Sequence, residues 1–579
     1  MFSAESTIGS APMNRSVWLL AAGSAALAGP LAAPQQTRPP NVVVIVADDM
    51  GYADIGSYGS KDIPTPHLDG LARRGIRFTD AYVSMPYCSP TRAGLLTGRY
   101  PQRFGHEYNI GIADEHRDAG LPVDQVTIAD RLRAAGYRTA VFGKWHLGFA
   151  PRFFPTRRGF DEFFGFLAGA HSYVAPQRVA NPIYDGDRIV TAIPYLTDTL
   201  AARAVEYIHR NRGRPFFLYL PFNAVHTPLQ ATPQYRARVA PIADSTRQTY
   251  AAMLVAMDDA IGKVLGAIHD AELDRNTLVF FFSDNGGPLD PAWNGASNAP
   301  LRGDKGTTWE GGIRVPFLIA WEGRLPAGTV ETRPIIQLDV LPTALAAAGV
   351  AIPKDSLDGV NLLPFLTGAN AAAPHEALYW RSGRRMAIRE GDWKLVRSDT
   401  RAPEDTAGMT LAGAALYDVR ADPGEAHDLA ARDPERVRAL GARWWSWSRT
   451  LAAPAWRPPG SFLSAQRACA AGVPVYSGTW QGEVTAAGPF AWVQRVDGTG
   501  AFRIGADTAI ATRTVSQSDD SLVVELTGPI RGPPPQREPL TVRLATTVCG
   551  DTARGILWAR SPGGAVMRLP FAATRAGPP

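Results

Sequence analysis

Three cysteines in 579 residues are too few to staple a fold, and the odd count leaves at least one thiol outside any disulfide. A disulfide framework is therefore excluded as the main source of stability. Net charge is also small. The 59 basic and 54 acidic residues are mixed along the chain and leave +5, which excludes the basic-patch class of nucleic-acid binder. After the first 33 residues no apolar run approaches the ~20 residues that a helical span needs, so no stable membrane span is expected. Internal repeats and long low-complexity tracts are missing as well, which removes solenoid architectures.

What is present is an ordinary globular composition, 45% hydrophobic and 20% charged, in a chain long enough for two to four domains. Arg15 precedes the apolar stretch VWLLAAGSAALAGPLAA, which ends in small residues before a Pro/Gln-rich spacer. Residues 1–33 thus read as a signal peptide, with export to the periplasm or the exterior. In an oxidising compartment the simplest pairing joins Cys469 to Cys549. That bond would close a loop of about 80 residues and contribute roughly 4 kcal/mol in the chain-entropy model. Cys88 is then the cysteine left over.

From Asn41 to about Val350, strand runs alternate with helical periodicity, as in an α/β domain with a largely parallel sheet. The strand candidates are NVVVIVADD, RPFFLYLPFNAVHTP and NTLVFFFSDNGG; the helical ones include Thr127–Tyr137 and Tyr250–Ile268. Residues 38–373 form this domain, and 374–452 read as a small antiparallel sheet with one packed helix. The Pro-rich 453–461 reads as a linker, and 462–579, alternating at period two, as an accessory β-rich module.

Two of the strands end in acid. Ligands of open α/β sheets sit beyond the carboxyl ends of the strands, so Asp48, Asp49, Asp284 and Asn285 are expected to converge on one rim. Either pair alone would read as cap or turn residues. Together they make an all-oxygen set suited to Ca²⁺ or Mg²⁺ rather than zinc. In PYCSPTRAGLLTGR, residues 86–99, Pro90 marks a helix start; Ser89 is then the expected cap and Cys88 lies just outside the N-terminus, where a thiolate or an oxyanion is favoured. Arg92 and Arg99 add guanidinium donors that match tetrahedral oxyanions. In GYRTAVFGKWHLG, Lys144 and His146 stand two apart, on one side of an extended segment. With His226 after its strand and Lys305 in RGDKGTTWEGG, these groups suit an anion whose leaving group needs a proton.

The chain resembles the type I, formylglycine-dependent sulfatases of the alkaline phosphatase superfamily, aryl and N-acetylhexosamine sulfatases among them. The C-x-P-x-R signature stands at Cys88-Ser89-Pro90-Thr91-Arg92, with Thr91 where Ser is commonest, and GYRTAVFGKWHLG matches the second signature. The likeness runs from Asn41 through LYDVRADPGEAHDL, about two thirds of the chain. It implies an alkaline-phosphatase-like fold: a mostly parallel sheet flanked by helices, with a small C-terminal antiparallel sheet. It also implies that a maturation enzyme converts Cys88 to Cα-formylglycine before folding. The hydrated aldehyde attacks sulfur beside Ca²⁺ and then expels sulfate from within, which a serine ester could not do.

On this likeness Asp48, Asp49, Asp284, Asn285 and the converted Cys88 hold the metal. Arg92 and Lys144 stabilise the diol and His146 assists its deprotonation. His226 and Lys305 hold the sulfate, and one of them protonates the leaving oxygen. His171, in GFDEFFGFLAGAHSY, is a candidate substrate contact. The implied substrate is a sulfated small molecule or glycan. Two other readings stand beside this one: a phosphate or phosphonate ester hydrolase of the same superfamily, and a non-catalytic protein that binds sulfated glycans.

Overall fold

The structure is a computed structural model. It describes residues 38–456, apart from 112–115, 175–180, 291–293, 354–355 and 399–410, together with the strands of 478–577. The expected signal peptide and Cys469 lie outside the described residues, and so does the proposed disulfide.

Seven consecutive residues, Asn41–Ala47, are buried and rich in valine, as a strand covered on both faces requires. This strand is central in a ten-stranded sheet, with Thr277–Ser283 on one side and Phe216–Pro221 on the other, both parallel to it. Arg138–Lys144 and Glu162–Phe166 extend the parallel set beyond Phe216–Pro221, and antiparallel strands appear only towards the edges. Gly143, at φ +136°, is obligatory in its strand, since a Cβ there would lie 1.9 Å from the Pro221 carbonyl oxygen.

Alternation assigns the two faces. Val43 and Ile45 point into a core with the long helix Ser245–Asp270 and with Leu196–Asn211. Val42, Val44 and Val46 point into a second core with Cys88–Thr97, Ile128–Ala134 and Val340–Ala347. Each fully buried valine contributes about 1.5–3 kcal/mol relative to exposure. The helix expected near Thr127 begins there with a capping box, Thr127 and Asp130 each bonding the other's backbone N–H.

Strands Leu378–Ser382, Arg385–Glu390, Trp393–Arg397 and Ala415–Asp418 form the small antiparallel sheet, against which Pro434–Ser448 packs Trp444 and Trp447. The joint between this sheet and the larger domain is ionic as well as apolar. Lys394 Nζ lies 2.8 Å from Glu310 and 2.9 Å from Glu425, and Glu310 also accepts from Tyr82 and pairs with Arg314. Burial pushes the Glu425 carboxyl up to about 7, while Lys394 and Arg314 overcome burial to hold Glu310 down at about 2.

The last eight strands, from Gly478–Val484 to Val566–Gly577, pair consecutively and antiparallel, and the first also pairs with the last to close a barrel. Closure leaves the barrel without edge strands. The end of the expected subdomain and the start of the expected linker are anchored elsewhere. Ala452 and Ala455 donate N–H bonds to the carbonyls of Gln102 and Gly105, and Trp456 Nε1 reaches those of Tyr108 and Asn109.

Lys394→Met will leave Glu310 and Glu425 facing each other in a dry joint and will cost about 3–5 kcal/mol in equilibrium urea unfolding; a loss under 1 kcal/mol would contradict this account. His375 supplies a pH test. Its ring bonds both oxygens of the buried Asp339, at 2.8 and 2.9 Å, and this anion outweighs burial to raise the imidazole pKa. The stability that wild type has over His375→Gln will therefore be full below the unfolded-state value of about 6.5. It will fade as pH rises through the higher folded-state value, as read by unfolding between mildly acidic and alkaline pH.

Candidate active site

Ala47 and Ser283 are register partners, so the residues that follow them, Asp48-Asp49 and Asp284-Asn285, leave the sheet side by side. The turn is locked from below. Asp284 N–H bonds the Ala47 carbonyl, and Asp49 N–H reaches Asp284 Oδ1 at 3.3 Å. Asp49 adopts φ +62°, a left-handed conformation that aspartate tolerates and that turns its carboxylate across the strand ends.

Cys88 completes the cluster from the other side of the rim. One donor atom from each of Asp48, Asp49, Cys88 and His226 lies within 4.8 Å of the others. Cys88 Sγ is 3.9 Å from Asp49 Oδ1 and 3.2 Å from Lys305 Nζ. Lys305 in turn bonds both Asp49 oxygens, at 2.6 and 2.8 Å, and His226 Nε2 lies 3.5 Å from Asp49 Oδ2. Lys144 Nζ pairs with Asp48 at 2.7 Å, and Arg92 grips Asp284 through Nε and Nη2 at 3.0 and 2.7 Å. Three carboxylates thus face three cations almost wholly out of water.

Electrostatics follow from that burial. Desolvation raises Asp48 to about 7 against the pull of Lys144 and Arg92. For Asp49 the cations win: Lys305, by its charge and its hydrogen bonds, and Lys144 overcome burial and hold the carboxyl far below its usual range. Lys305 is raised by Asp49 and Cys88 against its own desolvation. Burial lowers His226 to about 3 and takes His146 well below its ordinary value, so both are neutral imidazoles.

The helix start differs from the sequence expectation. Tyr87 is the N-cap, Cys88 the first helical residue, and the Thr91 N–H closes the first turn on the Tyr87 carbonyl. Proline is accommodated within this turn because the first N–H groups of a helix have no intrahelical partner. Ser89, freed from capping, donates to the His146 carbonyl at 2.6 Å and accepts from His106 Nε2 at 2.7 Å. Nor is the thiol a thiolate: burial pushes Cys88 up to about 12, outweighing the pull of Lys144 and Lys305, and Asp284 and Asp48 add to the rise. Arg99 is no part of the site. It follows the Gly98 C-cap at the far end of the helix, about 16 Å along the axis at 1.5 Å per residue, and it bonds Gln125.

Lys144 and His146 do not share a strand face as expected. The strand ends at Lys144, and His146 at φ +58° is re-aimed under the chain at Gly169, where a Cβ would meet its ring at 2.7 Å. His146 Nε2–H donates to the Ile110 carbonyl, and Nδ1 has no partner among the described residues. His171, two residues beyond Gly169, is buried with its ring tilted on Phe166.

Sequence reasoning missed the wall behind these groups: His106, Asn109, which accepts from Ser89 N–H, and the Ile110 carbonyl. No motif signals them. It also missed Asn223, buried three residues before His226 with neither amide atom partnered among the described residues. The polar end of its strand was a signal that could have found it. Asp48 Oδ1 and Asn285 Oδ1 are likewise buried without hydrogen-bond partners. Unpartnered oxygens from two strand ends, with Asp49 and Asp284 beside them, fit a hard divalent cation.

Known proteins are similar to this chain. A family model described as Sulfatase matches residues 40–350, and one described as N-sulphoglucosamine sulphohydrolase, C-terminal matches 303–439. Arylsulfatase A of Bos taurus is 37% identical over 449 residues, 70% of this chain and 85% of that protein. N-acetylgalactosamine-6-sulfatase of Canis lupus familiaris is 37% identical over 400 residues, 65% of this chain and 74% of that protein. The solved structure described as "Crystal structure of Ps i-CgsB in complex with k-i-k-neocarrahexaose" is 35% identical with a TM-score of 0.68, covering 74% of this chain and 97% of its own.

Proposed function

The chain belongs to the sulfatase family, with the alkaline-phosphatase-like fold, and is an enzyme that hydrolyses sulfate esters; from this we propose that Cys88, converted to Cα-formylglycine, works with a Ca²⁺ ion on aryl or carbohydrate sulfates. The observation that carries the reading is the convergence of Cys88 with Asp49, Lys305 and His226 at the strand ends. Asp48, Asp49, Asp284 and Asn285, with the converted Cys88, would hold the cation; the all-oxygen donor set equally admits Mg²⁺. When present, the cation supplies positive charge against the sulfuryl oxygens, and the hydrated aldehyde supplies an oxygen nucleophile whose second hydroxyl lets sulfate depart without attack by water.

The chain's own residues do the rest. Without the cation, the three acids and three bases of the cluster balance. A divalent ion leaves the site positive, as an anionic ester requires. Arg92, held by Asp284 and by the Lys144 carbonyl, fixes the helix that presents residue 88 and, with Lys144, stabilises its hydrated form. His146, its Nε2–H committed to Ile110, keeps Nδ1 available as the base that withdraws the hydrate's proton. His226 commits Nδ1–H to the Thr227 carbonyl at 2.6 Å, which aims Nε2 at the cluster. Lys305, charged, holds the sulfate and is the one of the pair that carries a proton for the leaving oxygen; His226 faces the same cluster through Nε2, and His171 contacts the remainder of the substrate.

The apolar leader 17–33 supports export, to the periplasm or the exterior, and a maturation enzyme that reads the Cys88–Arg92 segment is the required partner. Among the described residues no helix is long and apolar enough to cross a membrane. The names arylsulfatase A and N-acetylgalactosamine-6-sulfatase, and a neighbour solved with neocarrahexaose, support the substrate class.

Three measurements test this reading. After co-expression with a formylglycine-generating enzyme, the peptide containing residue 88 will carry an aldehyde in place of the thiol. Cys88→Ala will lower turnover of an aryl sulfate by about 10³-fold or more with the fold intact; an unmodified thiol in fully active protein would overturn the assignment. Ca²⁺ at 100 times its dissociation constant will stabilise the protein by about 2.7 kcal/mol in thermal or urea unfolding. Asn285→Leu will weaken that response, and indifference of the wild type to both Ca²⁺ and chelator would remove the metal.

A further inference from the structure

The turn that joins Leu378–Ser382 to Arg385–Glu390 is held from two sides. On one, the buried Glu107 pairs with Arg381 Nη2 at 2.7 Å and accepts the Gly383 N–H at 2.9 Å. On the other, the Thr308 hydroxyl, three residues after Lys305, donates to the Met386 carbonyl at 3.3 Å. The tip of the small sheet is therefore fastened both to the wall behind His146 and to the loop that carries Lys305.

This fastening fixes Arg385 beside the residue that precedes Cys88. Its Nη1 donates to the Tyr87 hydroxyl at 3.3 Å. Tyr87 immediately precedes Cys88, and its hydroxyl lies 3.1 Å from where a Cβ on Gly306 would stand. The phenol thus spans the gap between Arg385 and the Lys305 loop. Neighbouring guanidinium groups are committed to acids, Arg381 to Glu107, Arg389 to Asp80 and Arg92 to Asp284. Arg385 makes no ion pair among the described residues, and its buried Nε has no hydrogen-bond partner there. Asp304, which senses the Arg385 charge, accepts instead from the Leu289 N–H at 3.5 Å. A half-buried guanidinium that no acid contacts directly is costly to hold, and its planar fork matches a carboxylate or a sulfate.

The geometry assigns to Arg385 a second anion subsite beside the reacting centre. It takes a carboxylate or a further sulfate on the saccharide that bears the ester to be cleaved. The preferred substrate class is accordingly a doubly charged sulfated sugar rather than an isolated sulfate ester. This rests on Cys88 being the reacting position.

Kinetics with matched sugars test it. For wild type, kcat/KM on sulfated disaccharides that carry a uronate or a second sulfate will exceed that on their singly charged counterparts by tenfold or more, mostly in KM, and the advantage will shrink with added salt. Arg385→Gln will reduce the ratio to within about twofold, and Arg385→Lys, which keeps the charge without the fork, will retain part of it. A wild-type ratio near one, or an unchanged ratio in a folded Arg385→Gln protein, would overturn the assignment. Calorimetric binding of the same sugars to Cys88→Ala protein reads the subsite without turnover. There Arg385→Gln will weaken the doubly charged ligand about tenfold, and equal affinity would again refute the subsite even if Cys88 proved not to be the nucleophile.

Discussion

Three carboxylates withdrawn from water at the ends of two neighbouring parallel strands are the constraint that organises the rest of this protein. Such charges cannot stay buried alone. Each is answered by a cation from a different element: Asp284 by Arg92 from a helix, Asp48 by Lys144 from a strand end and Asp49 by Lys305 from a glycine-rich loop. The requirement for neutrality therefore draws five segments, far apart in sequence, to one point. The same convergence leaves Asp48 Oδ1 and Asn285 Oδ1 with unused lone pairs, as a cation site needs.

Much of this was legible in the residues. A valine run that ends in Asp-Asp and a phenylalanine run that ends in Asp-Asn announce buried strands with polar ends, and the rule for open α/β sheets places those ends together. The register bears this out, since Ala47 faces Ser283 directly. The periodicity of the four short strands and the single helix after residue 374 was equally plain, because alternation at two and at 3.6 residues is local information. The all-β character of the tail was readable for the same reason, whereas closure of its eight strands into a barrel depends on the first strand meeting the last.

What escaped the sequence is non-local or conformational. Pro90 suggested a cap one residue away from the true one, because proline fits anywhere in a first helical turn and only the backbone at Tyr87 decides between registers. The spacing of Lys144 and His146 implied a shared face, but a positive φ at His146 breaks the alternation. The cysteine looked poised to ionise from its position near a helix start; its burial, with the acids opposite adding to it, reverses that inference. No short-range pattern could place Glu107, His106 or Arg385, whose meaning depends on partners about 20 to 300 residues away.

The anchoring of residues 452–456 on the segment 102–109 bears on the order of events in the cell. This segment backs Ser89 and His146, so the catalytic wall receives its last brace only when the chain has grown about 370 residues past Cys88, roughly 20–70 s later at 5–20 residues per second. In the finished protein Cys88 is 1% exposed, beyond the reach of another enzyme. On the proposed conversion of Cys88, the modifying enzyme has to act before this wall closes over the residue.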